Sequence, residues 1–463
     1  MMKSYDLLVI GSGPAGHHAA IQAAKLGKRV AVAEKRVCVG GVCINTGTVP
    51  SKTLREAVLY LSGFRQRGLY GVSYAVKKEI TMEDLTFRVN HVVKHEIDVF
   101  NAQLRRNGVE ILNGSASFLD PHHVRVQGLN ETEECQAQFV IIATGTSPAY
   151  SDQVPIDGST IIDSDMFPKL PSIPKAMTIV GAGVVGIEYA CMAAALGIKV
   201  TLIDLRHRML EFVDAEIIEA LSYHMRDFGV TFRLGEEMES VTKAPSGKVI
   251  VNLKSKKQVA SEAVLYAAGR QGNTKDLNME AVGLKADGRG RIAVNEFFQT
   301  PVPNIYAVGD VIGFPSLASV SMEQGRLAAC HSFGLPAVSM PQLFPYGIYT
   351  IPEISYVGQN EEQLTDAGIP YEVGIARYRE IARGQILGDD TGLLKLLFHR
   401  ETRKLLGVHI IGEGASELVH IGQAVLAFEG KIDYFVSTVF NYPTLAECYK
   451  VAALAGMNKL MAV

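Results

Sequence analysis

Two glycine-rich turns with the same internal spacing are the residues of this chain most able to do chemistry. Their glycines are Gly11, Gly13 and Gly16 in the first turn, and Gly181, Gly183 and Gly186 in the second. In a Gly-x-Gly-x-x-Gly turn, the first glycine allows a tight bend, the second lets backbone approach a pyrophosphate, and the third lets the helix pack on the strand. The helix N-terminus attracts the phosphates. An acid follows each turn at the same distance, Glu34 and Asp204, and can accept hydrogen bonds from adenosine ribose hydroxyls, so the sequence predicts two dinucleotide sites.

The segments around both turns are typical of a Rossmann fold. Strands are predicted over 5–10 and 29–33 around the first turn and over 177–180 and 199–203 around the second, with the second helix over 187–196. A single glycine turn is often only the start of a helix. The order strand, turn, helix, strand and acid occurs twice here, and this repetition specifically indicates dinucleotide binding.

The first dinucleotide unit does not end before the second begins. Apolar strands that end in glycine, at 139–145 and again at 304–310, indicate that the first domain resumes after the second. From about residue 341 short β-rich runs alternate with turns, and 446–461 is predicted to be a terminal helix. We expect an α/β protein with two Rossmann-like dinucleotide-binding domains, the second inserted in the first, and a C-terminal α+β interface or dimerisation domain. The predicted boundaries are 1–150 and 271–340 for the first domain, 151–270 for the second and 341–463 for the third.

Composition argues against several other classes of protein. With 48% hydrophobic residues, 20% charged residues and a net charge of -3, the chain offers no electrostatic case for binding nucleic acid or an anionic membrane. No apolar run approaches the length of a membrane span, and the N-terminus leads into the glycine turn rather than to a small-residue cleavage site. The six cysteines have neither metal-ligand nor disulfide spacing. We therefore expect a cytoplasmic enzyme with reduced thiols and no metal.

Three further motifs accompany the glycine turns. Residues 40–52 read Gly-Gly-Val-Cys-Ile-Asn-Thr-Gly-Thr-Val-Pro-Ser-Lys, residues 300–310 run from a threonine to Gly-Asp, and residues 440–447 read Phe-Asn-Tyr-Pro-Thr-Leu-Ala-Glu. Together with the turns, they resemble the flavoprotein disulfide reductases, which are FAD-dependent class I pyridine nucleotide-disulfide oxidoreductases. The resemblance covers essentially the whole chain. It implies FAD in the first domain, NAD(H) and NADP(H) as substrates in the second, and a homodimer or larger homo-oligomer.

The resemblance also assigns roles to individual residues. It places Glu34 on the adenosine ribose of FAD, Asp310 on the ribityl chain, and the turn 114–116 near the adenine. The helix that begins near Ala318 would point its positive dipole end at the flavin. The implied FAD-binding residues are Gly11, Gly13, Gly16, Glu34, Lys35, Gly41, Cys43, Thr48, Lys52, Ala116, Thr144, Gly145, Asp310 and Ala318. The implied NAD(P)-binding residues are Gly181, Gly183, Gly186, Asp204, Arg206, Arg208 and Gly269.

Two departures from the family pattern argue against its thiol chemistry. Members with a redox disulfide carry a second cysteine where this chain has Thr48, and a threonine hydroxyl can neither form a disulfide nor pass electrons as a thiol does. Cys43 is left without a resolving partner, and we interpret it as a packing residue. Tyr442 replaces the family's acid/base histidine while Glu447 remains, and a neutral tyrosine is a poor thiol base at pH 7. Tyr442 and Glu447 are therefore only weak catalytic candidates.

The hydride half of the family's reaction is retained. Lys52 and Glu188 match the family's ion pair beside flavin N5, although Val184 stands where glutathione reductase has an aromatic gate. Without a disulfide the flavin needs another acceptor, and the motifs most resemble the soluble transhydrogenase branch of the family. That resemblance implies a ping-pong route, in which NADPH reduces FAD and NAD⁺ then enters the same site to receive the hydride. Two alternatives stay open, namely an NAD(P)H:quinone or dye reductase and a flavin-bearing redox sensor or structural subunit.

The acid of the second turn bears on which nucleotide binds there. Asp204 favours the ribose of NAD and repels a 2′-phosphate. Arg206 and Arg208 follow at once, and their guanidinium groups could bind a phosphate, although each could equally be an ordinary surface charge. Our hypothesis is that both arginines bind the 2′-phosphate of NADP while Asp204 serves NAD.

Overall fold

The computed structural model describes residues 2–71, 73–337 and 343–461. The helices are α1 (Pro14–Lys25), α2 (Gly41–Asn45), α3 (Thr48–Ser62), α4 (Arg67–Tyr70), α5 (Met82–Arg106), α6 (Val184–Ala195), α7 (Ala215–Asp227), α8 (Ala318–Ser332), α9 (Glu361–Asp366), α10 (Ala382–Leu387), α11 (Ala415–Ala427), α12 (Asp433–Ser437) and α13 (Glu447–Met461). The strands are β1 (Lys3–Ile10), β2 (Val30–Glu34), β3 (Glu110–Asn113), β4 (Ser115–Phe118), β5 (His123–Gln127), β6 (Thr132–Ile142), β7 (Thr146–Pro148), β8 (Ile161–Asp163), β9 (Ala176–Val180), β10 (Lys199–Asp204), β11 (Thr231–Leu234), β12 (Met238–Lys243), β13 (Val249–Leu253), β14 (Gln258–Ser261), β15 (Ala263–Tyr266), β16 (Arg270–Gly272), β17 (Ile305–Ala307), β18 (Tyr346–Ile348), β19 (Ile354–Gly358), β20 (Tyr371–Arg377), β21 (Leu393–His399) and β22 (Leu405–Ile411). Within these ranges no helix is long and apolar enough to cross a membrane.

The chain divides into two compact units. The first comprises Met1–Leu54, Thr86–Ala149 and Gly269–Met340, and the second comprises Arg55–Leu85, Tyr150–Ala268 and Pro341–Val463. Each unit contains one of the two glycine turns, so each carries one of the two predicted dinucleotide sites.

The first unit is built on a sheet of order β3-β2-β1-β6-β5-β4, with β17 also paired to β6. Strands β1, β2, β3, β6 and β17 run parallel, and their carboxyl ends share one edge. Residues 7–10 of β1 are apolar in an unbroken run because both faces of the sheet are covered there. Helices α1 and α8 pack very closely, since a Cβ at Gly325 would lie 2.0 Å from the carbonyl oxygen of Ala15. This packing sets the direction in which α1 leaves the first glycine turn.

The chain leaves this first sheet and later returns to it. Residues 150–268 belong to the second unit, and β17 then pairs with β6 so that Ile305 lies beside Val140 and Ala307 beside Ile142. The predicted insertion of one nucleotide-binding domain in the other is therefore confirmed.

The second unit contains the second glycine turn on a parallel sheet of order β11-β10-β9-β15-β8, with a three-stranded antiparallel sheet β12-β13-β14. Its C-terminal part is an antiparallel sheet of order β18-β19-β22-β21-β20. That sheet packs with α11 and α13 around Phe398, Phe435 and Tyr449, which are almost fully buried. This α+β arrangement is the one predicted for the C-terminal region.

The elements differ from the predicted ones mainly at their ends. Strand β2 extends to Glu34, and α6 begins at Val184 because Gly183 is its N-cap. The terminal helix is Glu447–Met461. The three predicted domain boundaries stay predictions, and the one between residues 340 and 341 falls within 338–342, outside the described residues.

Candidate functional site

The first glycine turn joins β1 to α1, and contacts within the protein require two of its three glycines. Gly11 has a φ of 104°, and a Cβ there would lie 2.5 Å from the carbonyl oxygen of Ala143. A Cβ at Gly16 would lie 1.9 Å from the carbonyl oxygen of Gly11. At Gly13 the nearest atom would be the Cα of Gly41, at an ordinary 3.8 Å. Protein atoms therefore require the first and third glycines, whereas the second leaves room beside it that the pyrophosphate of a ligand could fill.

Glu34 ties the end of β2 to this turn. Its Oε2 accepts hydrogen bonds from the Ser12 amide at 3.0 Å and the Ser12 hydroxyl at 2.5 Å, and its Oε1 accepts from the Arg36 amide at 2.8 Å. The residue is only 5% exposed. All three donors are electrically neutral, two of them backbone amides and the third a side-chain hydroxyl, and together they hold the carboxylate at the edge where the predicted ribose would lie.

A cleft of about 1160 Å³ opens at the carboxyl edge of the first sheet. Most of the predicted FAD residues line it, namely Gly11, Gly13, Glu34, Lys35, Gly41, Cys43, Thr48, Ala116, Thr144, Gly145, Asp310 and Ala318. Gly16 and Lys52 are not part of that lining; Gly16 acts through helix packing, and Lys52 lies on α3. The lining also includes residues that the sequence reasoning missed, among them Ser12, Thr146, Asn273 and Ser321. Thr146 directly follows the predicted Thr144 and Gly145, which was the available signal.

Polar groups within the cleft are only partly satisfied by the protein. Asp310 lies in a short helical turn, Gly309–Ile312, and its Oδ2 accepts a hydrogen bond from the Thr146 hydroxyl at 3.3 Å. Burial raises the pKa of Asp310, while nearby Arg270 opposes the shift. The hydroxyl of Thr144 is buried and has no hydrogen-bond partner in the described part of the chain. A buried polar atom without a partner, beside a turn with room at Gly13, fits a bound dinucleotide such as FAD.

The predicted loss of the redox disulfide agrees with the local geometry. All six cysteines are free thiols, Cys43 on α2 among them. Burial raises the pKa of the Cys43 thiol, and a hydrogen bond with Thr48 opposes this only in part. A protonated thiol is a poor nucleophile, so Cys43 is unsuited to thiol exchange at neutral pH.

The second glycine turn repeats the first almost atom for atom. Gly181 has a φ of 109°, and a Cβ there would lie 2.4 Å from the carbonyl oxygen of Ala267. A Cβ at Gly186 would lie 1.8 Å from the carbonyl oxygen of Gly181. At Gly183 a Cβ would have no described atom within 4 Å. The second glycine is again the position that the protein does not demand, which is typical of a backbone that approaches a pyrophosphate.

Asp204, at the end of β10, differs from Glu34 in its partners. It accepts hydrogen bonds from the Ala182 amide at 2.6 Å and the Arg206 amide at 2.8 Å. The Arg206 guanidinium adds two more, from Nε and Nη2, each at 2.9 Å. Burial acts to raise the pKa of Asp204, but these hydrogen bonds outweigh it and lower the pKa below the usual range. The acid is thus held ionised by a guanidinium that is itself a good phosphate ligand.

The structure separates the two predicted arginines. Arg208 donates from Nη1 to Glu362 and from Nη2 to the carbonyl oxygen of Glu211, both at 3.0 Å. Arg206 contacts Asp204 instead, and its side chain is 41% exposed. Of the two, only Arg206 is placed directly at the predicted ribose-binding acid.

A buried ionic cluster lies in the same unit. Lys395 on β21 is fully buried, and its ammonium group lies 2.9 Å from Asp214 and 3.1 Å from Glu216, and also pairs with Glu361. The three carboxylates are close enough together to hold a metal ion, but the lysine already supplies the cation there. Asp214 is the N-cap of α7, so the cluster joins β21 to the segment that follows Arg208.

Some of the remaining predicted residues lie on helices, and others lie between elements. Glu188 on α6 is 4% exposed, and its Oε1 accepts a hydrogen bond from the Tyr349 amide at 2.8 Å. Lys52 belongs to the first unit and Glu188 to the second, so their pairing stays a prediction. Gly269 has a φ of 122°. Tyr442 is 73% exposed in the single chain, and Glu447 begins α13 with one buried carboxylate oxygen that has no partner among the described residues.

The fold and the paired glycine turns define a class of protein. The chain matches the pyridine nucleotide-disulphide oxidoreductase family over residues 5–325 and the dimerisation domain of that family over residues 344–453, and it belongs to this family. It is 56% identical to the soluble pyridine nucleotide transhydrogenase of Mycobacterium bovis BCG Pasteur, over 100% of this chain and 99% of that protein. It is 46% identical to the protein of the same name from Colwellia psychrerythraea, over 98% of both.

Solved structures with the same fold come from other branches of the family. The copper complex of the HOCl-induced flavoprotein disulfide reductase RclA from Escherichia coli superposes with a TM-score of 0.89 at 27% identity, covering 98% of this chain and 99% of that one. LpdA from Mycobacterium tuberculosis superposes with a TM-score of 0.89 at 25% identity, with the same coverage. The predicted fold class is therefore confirmed.

Proposed function

We propose that this protein is an FAD-dependent NAD(P)⁺ transhydrogenase. The overall reaction moves one hydride from NADPH to NAD⁺ and yields NADP⁺ and NADH, so no proton or further electron acceptor is needed. The identity to transhydrogenases over the whole chain supports this, as do the Cys43 thiol without a second cysteine and Thr48 in its place. The observation that carries the proposal is the hydrogen-bonded pair of Asp204 and Arg206. The carboxylate of this pair can bind the ribose of NAD, and the guanidinium can bind the 2′-phosphate of NADP, so one site has a ligand for each nucleotide.

The first cleft would hold FAD through the chain's own groups. The first glycine turn and the N-terminus of α1 would receive the pyrophosphate, Glu34 the adenosine ribose, and Asp310 the ribityl hydroxyls. When bound there, FAD supplies a two-electron carrier that takes a hydride from one nicotinamide and returns it to another. The three donors to Glu34 are neutral groups, so none of them is a guanidinium that could change its partner from the acid to a phosphate.

The second turn would accept the two nicotinamide nucleotides in succession. With NAD⁺, Asp204 would accept hydrogen bonds from the ribose hydroxyls. With NADPH, Arg206 would turn from Asp204 to the 2′-phosphate. Arg206 can make this change because its side chain is 41% exposed, whereas Asp204 is 9% exposed and keeps the hydrogen bonds from the Ala182 and Arg206 amides. Arg208 could join only by leaving Glu362, so we assign the main role to Arg206.

We assign the polar surroundings of flavin N5 to Lys52 and Glu188, where opposite charges would orient the reacting groups. Glu188 is suited to this role because it is buried and held by the Tyr349 amide. Tyr442 and Glu447 keep a minor role at most, because without a second cysteine beside Cys43 no disulfide is reduced and no thiol needs to be protonated in the reaction. We also propose a cytoplasmic homodimer, formed through the dimerisation domain at residues 344–453.

One assay tests the function. The purified holoenzyme is mixed under anaerobic conditions with NADPH and thio-NAD⁺, a chromophoric analogue of NAD⁺, with no other acceptor present. We expect rapid reduction of thio-NAD⁺. Transfer that begins only after a quinone is added would instead identify a quinone reductase, and a flavin that NADPH cannot reduce would identify a sensor or structural subunit. Either result would overturn the proposal.

A further inference from the structure

A second pocket in the first unit lies among three helices and is strongly cationic. The helices are α1, α5 and α8, and the pocket is open to solvent, with about 680 Å³ of empty space when that open part is included. The charged or titratable side chains that line it are His17, His18, Lys25, Arg106 and Arg326, and most of the others carry carboxamides. Ile21 is the one apolar residue of the lining, and no carboxylate belongs to it. None of these residues lines the cleft assigned to FAD.

The cationic side chains line the same pocket, although the local structure explains each of them separately. Lys25 ends α1 and Arg106 ends α5, where positive charge complements the helix dipole. Arg326 is oriented by two hydrogen bonds to Glu323, at 2.9 and 2.6 Å, and this pair cancels its net charge. The dipole explains a lysine or arginine at each helix end, but it does not explain why both face one hollow with no acid in its lining. Lys25 and Arg106 thus leave an excess of positive charge in the pocket.

His17 provides a second and independent sign of a ligand. It is 2% exposed, and no hydrogen bond of good geometry reaches either ring nitrogen among the described residues, although the Phe100 backbone lies close enough to oppose the lowering of the His17 pKa. Its ring stacks on Phe100 with centroids 4.1 Å apart and an interplanar angle of 29°. A phenylalanine would make that contact without burying unpaired nitrogens, which is unfavourable. Burial, together with the neighbouring His18, lowers the pKa of His17 to about 4, so at pH 7 the ring is neutral and one nitrogen carries a hydrogen that it can donate.

We propose that this pocket binds a small polyphosphate anion. Lys25 and Arg106 would neutralise its charge, the Arg326 guanidinium would bind phosphate oxygens, and His17 would donate a hydrogen bond to one of them. More than one uncompensated cation calls for more than one negative charge. Planar guanidinium groups bind phosphate oxygens bidentately, and a polyphosphate carries the several negative charges that a single carboxylate lacks. The site shares no lining residue with the cleft assigned to FAD.

The test measures binding rather than activity. Sodium tripolyphosphate is titrated by calorimetry into FAD-loaded protein saturated with NAD⁺, so that the two dinucleotide sites are filled. We expect saturable binding with a dissociation constant below about 1 mM. The variant K25Q/R106Q should weaken binding about tenfold or more. The control R88Q/R105Q removes two exposed charges from α5, outside the pocket, and should change the affinity by less than about twofold.

A third variant tests the histidine without changing the charge. His17→Phe keeps the stack on Phe100, and its FAD content and thermal midpoint show whether it is folded. It should weaken tripolyphosphate binding about threefold or more, the loss of one hydrogen bond. Absence of saturable binding, or equal weakening in K25Q/R106Q and R88Q/R105Q, would overturn the proposed site. Unchanged affinity in H17F would remove His17 from it.

Discussion

The two glycine turns share a backbone but differ at the acid that follows. In both, the acid accepts from the amide after the first glycine and from the amide two residues beyond itself. The remaining donor to Glu34 is the hydroxyl of Ser12, whereas the remaining donor to Asp204 is the guanidinium of Arg206. A hydroxyl can only hold the acid in place. A guanidinium can change partner to a phosphate, and this difference separates a retained cofactor from an exchangeable substrate.

The packing around the second glycine also differs between the two turns, and it is closer in the first turn. Gly13 is faced by Gly41, whose own added Cβ would come within 2.8 Å of the Cα of Gly13. The N-terminal end of α2 therefore closes over the first turn. Gly183 has no such neighbour among the described residues. An enclosed turn slows release of its occupant, while an open one permits release after each turnover.

The largest effect should come from filling the third glycine of each turn. Gly16→Ala and Gly186→Ala place a Cβ within 2 Å of a carbonyl oxygen and must displace the helix. We expect G16A to lose bound FAD, and G186A to keep the flavin spectrum while its reduction by NADPH slows about 100-fold or more, equivalent to about 2.8 kcal/mol.

Flavin absorbance and stopped-flow reduction distinguish these outcomes. Gly183→Ala is the matched control, because its Cβ meets no described protein atom and should leave the thermal midpoint unchanged. It should still weaken nucleotide binding. If G186A lost its flavin as G16A does, the assignment of FAD to the first turn and of the nicotinamide nucleotides to the second would be wrong.

A smaller effect, confined to one nucleotide, should follow from removing the guanidinium. Arg206→Ala should raise the KM for NADPH about 10- to 100-fold, the size of one or two charge-assisted hydrogen bonds, and leave the KM for NAD⁺ nearly unchanged. Arg208→Ala is the control, and its effect should be smaller because Arg208 is bound to Glu362 and Glu211. Steady-state kinetics with each nucleotide would contradict the assignment if both substitutions acted equally.

The same guanidinium should control the pH dependence of NAD⁺ binding. Arg206 helps hold the pKa of Asp204 below its usual value, so the carboxylate that receives the ribose persists as the pH falls. In R206A the pKa should rise, and NAD⁺ affinity should then decline at a higher pH than in the unmodified protein. Titration of NAD⁺ between about pH 4 and 6 tests this, with D204N as a pH-independent reference. Coincident profiles for R206A and the unmodified protein would show that Arg206 does not set this pKa.

The sequence was sufficient for features that depend on local spacing. The glycines, Glu34, Asp204 and the return of the chain at 304–310 follow from repeated patterns, and the structure places them at the carboxyl edges of parallel strands. Thr48 identified the missing disulfide through the resemblance of residues 40–52 to the family motif.

Features that depend on distant partners could not be predicted in this way. Arg206 and Arg208 look alike in the sequence, yet one contacts Asp204 and the other Glu362, which is far along the chain. Ser12 was only a variable position within the motif, and its hydrogen bond to Glu34 depends on how β2 lies beside β1. Periodicity carries no information on which side chain will be free to meet a ligand.

The smallest predicted effect concerns the Ser12 hydroxyl, which donates to Glu34 in the first turn as the Arg206 guanidinium donates to Asp204 in the second. Ser12→Ala removes a donor to Glu34 and an acceptor that receives a hydrogen bond from the Gly40 amide at 3.0 Å. We expect about 1–2 kcal/mol less stability and modestly weaker retention of FAD. The ratio of the KM values for NADPH and NAD⁺ should not change, because the hydroxyl serves only the first turn. Thermal unfolding and flavin release, measured beside Ser115→Ala as a control in the same cleft, would reveal the loss. A changed nucleotide preference in S12A would contradict the idea that the two turns act separately.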